Sequence, residues 1–280
     1  MSQWNNPELW AQDRIGKFTA SVFYELMTEP KSLTDAHVAK YGHLVKEPAF
    51  VMKGGKRQFA PGYQQKLKDA VVADGKYLFG STALTRIAKV VAERVTGTPE
   101  DRATSRDMER GIEMEPYAFM HFNKHWMPLE GASFIKYVHP LLGTVNAGAT
   151  PDAIAMKGRM TLDFKCPSTD KLIRFKREVR DEDHESLMDW DPKYYWQIMV
   201  QAKLAKATHA ALCYYDDRIA GGVLDYGSDN IEYNKPELTH LCGVARIFML
   251  RAEDAKAIDA VLYSAEEEAM AMMEHFATTT

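Results

Sequence analysis

A chain of 280 residues, 46% hydrophobic and 26% charged, has the make-up of an ordinary globular protein and is long enough to bury one sizeable core, so one α/β domain spanning 1–280 is expected. Its formal charge of −4 argues against a protein that coats nucleic acid through net charge alone. No stretch approaches about 18 uninterrupted apolar residues, and the opening MSQWNNPELWAQDR has no apolar core, so neither a membrane span nor an export signal is expected and the cytoplasm is the expected location.

In chain order, TASVFYELMTE from Thr19 offers a Thr/Ser cap and apolar positions Val22, Phe23, Leu26 and Met27, which predicts a helix ended by Pro30. Lys53 to Pro61 reads as a long loop from its glycines and basic residues, and Leu67 to Val72 is too short a pattern to assign. Between Pro48 and Lys68 stand five basic residues (Lys53, Lys56, Arg57, Lys66, Lys68) and no acid, a stretch that could meet phosphate or simply be a solvated loop. STALTRIAKVVAERV, Ser81 to Val95, predicts a capped amphipathic helix stopped at Gly97, and a second helix is expected from about Asp101 to Trp126, interrupted at Pro116. The period then shortens. FIKYVHPLL, AGATPDAIAM and RMTLDFKCP, punctuated by Gly and Pro, predict a meander of antiparallel strands. PKYYWQIMVQAKLAKA predicts a helix, HAALCYYDD a strand ending in acids, Gly221 to Glu237 an irregular excursion, Val244 to Leu250 an edge strand and Ala252 to Phe276 a closing helix. This order implies an α/β or α+β core in which helices flank a central mixed sheet. Residues 40–80 and 218–240 read as insertions or loops. Cys166, Cys213 and Cys242 form no CxxC and are expected as reduced core residues; Trp4, Trp10 and Tyr195 are expected as core aromatics.

The chemistry-bearing residues gather in the middle of the chain. Pro151-Asp152 is followed, after residues 153 to 162, by Asp163-Phe164-Lys165. If Asp152 ends one strand and 163 to 165 lie on its neighbour, alternation puts Asp163 and Lys165 on one face and Phe164 on the other, so that two carboxylates and an ammonium converge. Alone, such residues can be an exposed cross-strand charge pair beside a turn. Here Leu162 and Phe164 interleave with the charges, and a charge pair on a half-buried strand demands a partner or a metal. Carboxylates are hard ligands for Mg²⁺ or Mn²⁺, and an ammonium can orient water and offset developing charge, which is the requirement for hydrolysing a phosphodiester. This is the pattern of PD-(D/E)xK nucleases.

The order of motifs resembles the phage lambda-type exonuclease family, also called YqaJ-like viral recombinases. Arg14-Ile15-Gly16-Lys17-Phe18-Thr19-Ala20-Ser21 resembles its RxGxxTAS signature, and Gly111 to Glu115 its GxxxE helix. Thr150-Pro151-Asp152 and Asp163-Phe164-Lys165-Cys166-Pro167 resemble its SPD and ExKCP strands, and Tyr194 to Gln197 followed by Tyr215-Asp216 its YxxQ helix and next strand. The chain departs from the family pattern at Asp163, where the family has Glu, and at Thr150, where it has Ser. The resemblance implies a restriction-endonuclease-like PD-(D/E)xK core that degrades linear double-stranded DNA 5′ to 3′ with Mg²⁺, Mn²⁺ substituting and two ions in use. It implies that Asp152, Asp163 and the Phe164 carbonyl bind metal, with Glu115 completing the site directly or through water. Lys165 would act on the attacking water. Arg14, Ser21, Thr150 and Gln197 would grip the 5′-terminal phosphate, Gln197 also belonging to the catalytic set. It further implies a homotrimeric ring, a single-strand annealing protein as partner, and a phage or prophage origin in a bacterial host.

Glu113 competes with Glu115 for the metal-facing position, and only the family register selects Glu115. Gln201, one turn beyond Gln197, is expected further from the metal. His121 and His125, at i and i+4, read as packing or surface residues because no third ligand accompanies them. The competing functions are an endonuclease or RecB-like nuclease and, from another class, a DNA-binding or annealing protein without catalysis.

Overall fold

The computed structural model describes residues 12–99, 106–225 and 230–278, so Trp4, Trp10 and the start of the helix expected from Asp101 lie outside the described residues. Strand β1 (Phe18–Thr19) passes through a 3-10 turn at Ala20–Val22 into the short helices α1 (Phe23–Leu26) and α2 (Asp35–Tyr41), the hairpin β2 (Phe50–Lys53) and β3 (Lys56–Phe59), and helices α3 (Tyr63–Ala73), α4 (Ser81–Thr96) and α5 (Arg106–His125). Strands β4 (Leu129–Gly131), β5 (Ile135–Val138), β6 (Val145–Ala149), β7 (Ala153–Ala155) and β8 (Met160–Lys165) follow. Three helices, α6 (Thr169–Glu178), α7 (His184–Trp190) and α8 (Pro192–Ala205), lead to β9 (His209–Tyr215). The hairpin β10 (Gly222–Asp225) and β11 (Asn230–Tyr233), strand β12 (Gly243–Met249) and the long helix α9 (Ala252–Thr278) complete the chain.

The strands expected as one meander divide between two sheets. One is three-stranded, β1-β6-β5, with β1 parallel to β6. The other is five-stranded, β12-β9-β8-β7-β4, mixed because β8 and β9 run parallel and the remaining pairs antiparallel. The chain passes between the sheets at Thr150-Pro151-Asp152, between the end of β6 and the start of β7. A proline at that point contributes no N–H to either ladder. The helix expected at Thr19 forms only from Phe23, because Phe18 and Thr19 pair with Ala147 and Gly148 and are buried there.

Helix α8 is buried almost all round, Tyr195, Ile198, Met199, Val200, Ala202 and Leu204 lying in the main core between the five-stranded sheet and α9. Its start is set by Pro192 at the first turn and by the Asp191 side chain, which accepts from the N–H groups of Lys193 and Tyr194. Its end is Lys206, in the left-handed region. On the opposite face of the sheet α5 presents Met114, Ala118 and Phe122, one turn apart, to Leu162, Phe164 and Cys213. That packing carries α5 straight through Pro116, where an interruption was expected. The proline removes only the N–H that would have bonded the carbonyl of Ile112.

Residues 40–80 are not loops. Gly54 and Gly55, both with positive φ, make the two-residue turn joining β2 to β3, and α3 buries Tyr63, Leu67 and Val71 in a small core with Leu33, Tyr41 and Leu78. Three of the five basic residues of this segment are engaged by acids from outside their own run: Arg57 with Asp35, Lys66 with Glu47 and Lys68 with Glu29. The segment is therefore no unbroken phosphate track. The excursion from 218 likewise contains the hairpin β10–β11, and β12 occupies the expected edge.

Gly80 joins this small core to α4. Its N–H donates to the Thr28 carbonyl at 2.7 Å, and a Cβ on it would approach the backbone oxygen of Glu29 to 2.6 Å. Gly80→Ala is expected to cost about 1–3 kcal/mol, read as a fall in the urea midpoint at unchanged m-value. An unchanged midpoint would mean that residues 28–29 yield freely.

Candidate active site

Strand β8 sets the floor of the site. Asp163 and Lys165 face α8, and Phe164 points the other way, its ring stacked on Phe122 with centroids 5.7 Å apart. The N–H of Asp152 bonds the carbonyl of Leu162 at 2.9 Å, which extends the β7–β8 ladder by one residue and brings Asp152 beside Asp163. One Asp152 oxygen accepts the Phe164 N–H at 2.6 Å. The N–H and C=O of one strand residue point the same way, so the Phe164 carbonyl also opens towards Asp152, past the end of β7.

Asp163 is only 2% exposed. Its Oδ1 accepts the side-chain amides of Gln197 at 2.6 Å and Gln201 at 2.8 Å, and its Oδ2 lies 2.5 Å from Lys165 Nζ. Gln201 thus bonds the same Asp163 oxygen as Gln197. Its signal was present in the sequence, since i and i+4 share one helix face. The Lys165 ammonium also lies 5.0 Å above the ring of Tyr194.

The electrostatics follow from this crowding. Burial pushes the Asp152 carboxyl well above the usual carboxylate range, and the charges of Asp163 and Glu115 push it further, against the opposing pull of Lys165 and the Phe164 N–H. Burial alone would depress Lys165, but Asp163, Asp152 and Tyr194 outweigh it and hold the ammonium above its ordinary value. Glu115 is part of the same field, whereas Glu113 is solvent-exposed.

Above this floor opens a cleft of about 540 Å³ bordered by Ser21, Glu115, Phe164, Lys165 and Gln197. Arg110, Lys171, Lys193 and Arg218 also border it, so five cations stand against Glu115 in the wall of an acidic protein. Such a wall suits a polyanion. Because the Phe164 ring is buried, its main chain is what meets the cleft. Lys193 lies one turn before Gln197 on α8, and this spacing would have nominated it from sequence.

Of the residues expected at a 5′-phosphate, Ser21 and Gln197 border the cleft, and Arg14 reaches Ser21. Arg14 Nη2 donates to Ser21 Oγ at 2.7 Å and to Thr19 Oγ1 at 3.2 Å. Thr19 pairs with Gly148 on β6, and the 3-10 turn that follows, which carries Ser21, packs on the same strand. The Thr150 hydroxyl is buried with no hydrogen-bond partner among the described residues. The 3-10 turn carrying Ser21 packs on α8, which carries Gln197.

Asp152, Asp163 and the Phe164 carbonyl are hard oxygen donors, and Asp163 and Glu115 add negative charge around Asp152. The set fits a divalent cation on both counts. Among the described residues no three His, Cys, Asp or Glu side chains come together as a metal-binding group. His121 packs against Tyr215 and His125, with burial lowering it to about 4, as suits a core histidine. The cysteines are free; Cys213 and Cys242 are buried, and Cys166 borders the cleft.

No curated protein sequence matches the chain. Among solved structures, an alkaline exonuclease (LHK-Exo) from Laribacter hongkongensis superposes with a TM-score of 0.58 at 19% identity, covering 98% of this chain and 100% of that one. The same enzyme in complex with dAMP gives 0.57 at 19% identity over the same shares. A phage-related exonuclease from Haemophilus somnus 129PT gives 0.55 at 12% identity, covering 93% of this chain and 96% of that one. At these identities the likeness shows a common fold, consistent with the PD-(D/E)xK core expected from sequence. The sequence itself matches the YqaJ-like viral recombinase domain over residues 70–209, half of the chain and the part that holds Glu115, Asp152, Asp163, Lys165 and Gln197. The chain therefore belongs to the YqaJ-like viral recombinase family.

Proposed function

We propose that the protein is a Mg²⁺-dependent exonuclease that degrades one strand of linear double-stranded DNA from its 5′ end, leaving single strands for phage-type recombination. The observation that carries this reading is the convergence of the buried Asp152 and Asp163 on the strand whose Phe164 and Lys165 border a cation-walled cleft. Asp152, Asp163 and the Phe164 carbonyl would hold the ion, Mg²⁺ or Mn²⁺, with Glu115 reaching it through water. A bound divalent ion lowers the pKa of water and polarises a phosphoryl oxygen.

The chain's own residues supply the rest. Gln197 and Gln201 fix the Asp163 carboxylate by its Oδ1, which leaves Oδ2 as the edge turned to Lys165. Lys165 orients a water beside the scissile phosphate and offsets the charge that develops there. Arg14, braced by Ser21, would bind the 5′-terminal phosphate with Thr150 and Gln197, a guanidinium and neutral donors being suited to a phosphate monoester.

End-labelled linear duplex bearing 5′-phosphate or 5′-hydroxyl, and covalently closed circles, each incubated with Mg²⁺, Ca²⁺ or EDTA, test the reading. Mononucleotide release from linear DNA in Mg²⁺ alone is expected. Cleavage of closed circles would replace the exonuclease with an endonuclease, and binding without any product would leave a DNA-binding protein. Arg14→Ala is expected to lower the rate on 5′-phosphorylated ends about tenfold and to leave 5′-hydroxyl ends little changed. A preference equal to that of the wild type would remove Arg14 from the pocket.

A further inference from the structure

Two arginines in the cleft wall have no part in the chemistry above. Arg110 on α5 and Arg218 in the 3-10 turn after β9 border the cleft beside the main chain that follows Lys165. Their positions are fixed by buried acids. Asp216, wholly buried, accepts Arg218 Nε at 2.7 Å and Arg110 Nη2 at 3.4 Å, and takes the Thr169 hydroxyl on its other oxygen. Asp217 accepts Arg110 Nη2 at 2.8 Å. The same guanidiniums donate to the main chain directly after Lys165, Arg110 to the Cys166 carbonyl at 3.2 Å and Arg218 to the Pro167 carbonyl at 2.9 Å.

This arrangement does more than neutralise two acids. The aspartates lie behind, 0% and 5% exposed, while the Arg218 side chain is 47% exposed, so the cleft meets the cations first. A strand whose terminal phosphate lies at Arg14 and Ser21 and whose scissile phosphate lies over Lys165 must leave the site on the other side of Lys165. Cys166 and Pro167, whose carbonyls the two arginines hold, directly follow Lys165 and border the same cleft. We propose that Arg110 and Arg218 form a subsite for the phosphodiester immediately 3′ of the scissile one on the degraded strand, an assignment that rests on the exonuclease reading. Asp216 and Asp217 are its positioning residues: they hold the guanidiniums in fixed planes, as an anion receptor requires.

The test is first-turnover cleavage of 5′-phosphorylated linear duplexes, each carrying one uncharged methylphosphonate linkage at a single position from the second linkage inward. In the wild type, neutralising the second linkage is expected to slow release of the first nucleotide about tenfold, and neutralising linkages well inside the duplex to have no effect. Arg218→Ala is expected to be slowed about tenfold on unmodified DNA and to lose its sensitivity to the second linkage, with Arg218→Lys recovering part of both. Wild-type cleavage that is indifferent to the second linkage would overturn the subsite while leaving the exonuclease standing. The same holds if Arg218→Ala is slowed by the modification as much as the wild type. No release of nucleotide from any linear duplex by the wild type would sink the exonuclease reading and the subsite together. The wild-type scan decides the matter even if the Arg218 variants fail to fold.

Discussion

Lys165→Ala is expected to lower single-turnover cleavage by at least about a thousandfold while leaving far-UV circular dichroism unchanged. The ammonium is the charged donor at the cleft floor, 2.5 Å from Asp163 Oδ2, and the acids around it hold it above its ordinary value. On the proposed reading it would enter the reaction as a cation, a donor to water and phosphate. Lys165→Met separates charge from packing, since it keeps an apolar stem beside Tyr194 and removes only the ammonium. Both variants are expected to be equally inactive. Each also leaves the buried Asp163 carboxylate without its counter-charge, so each should lose thermal stability in EDTA and regain part of it in Mg²⁺. Turnover within tenfold of wild type by either variant would remove Lys165 from the chemistry.

The sequence exposes this floor because its geometry is local. Alternation along Met160–Lys165 is enough to put Asp163 and Lys165 on one face, and a tight return after Pro151-Asp152 brings the second acid alongside. The helices at 81–96 and 192–205 were readable for the same reason, each carrying its own stop or start in Gly97 and in Asp191-Pro192. Tertiary packing hid the rest. Pro116 argues locally for a break, yet Met114, Ala118 and Phe122 bury one continuous face of α5 and the helix persists. Nothing local says that the ladder changes sheets at Thr150–Asp152, because β6 lies between β5 and β1, and β1 is more than a hundred residues earlier. The hairpin at 50–59 has hardly any buried face and so no hydrophobic period; its Gly54-Gly55 turn was the available sign. Arg110 looked like one basic residue among many because the acids that position it, Asp216 and Asp217, are more than a hundred residues away.

Asp152→Asn should separate activity from stability in opposite directions. The Asp152 carboxyl is held well above the usual range by burial and by the charges of Asp163 and Glu115, so the fold penalises its ionised form. For an acid raised on folding, the group costs nothing below its unfolded pKa. The cost grows as pH rises towards the folded value and is complete above it. In EDTA the wild type should therefore lose stability across that window, while Asp152→Asn, which can still accept the Phe164 N–H, should not. The variant is expected to melt higher than the wild type at neutral pH without metal and to match it near pH 3. Mg²⁺ is expected to reverse the order. A cation supplies the charge that the site lacks, stabilising the wild type by about 2.7 kcal/mol at a hundredfold excess over Kd and the variant hardly at all. Because ion and proton compete for one carboxylate, the Mg²⁺ needed for half-maximal cleavage should fall as pH rises. Cleavage by the variant should drop at least about a thousandfold even though its fold is the more stable one. A variant that melts below the wild type in EDTA at every pH would mean that the Asp152 charge is already satisfied by the protein, and a carboxylate so satisfied gives no reason to place a cation there.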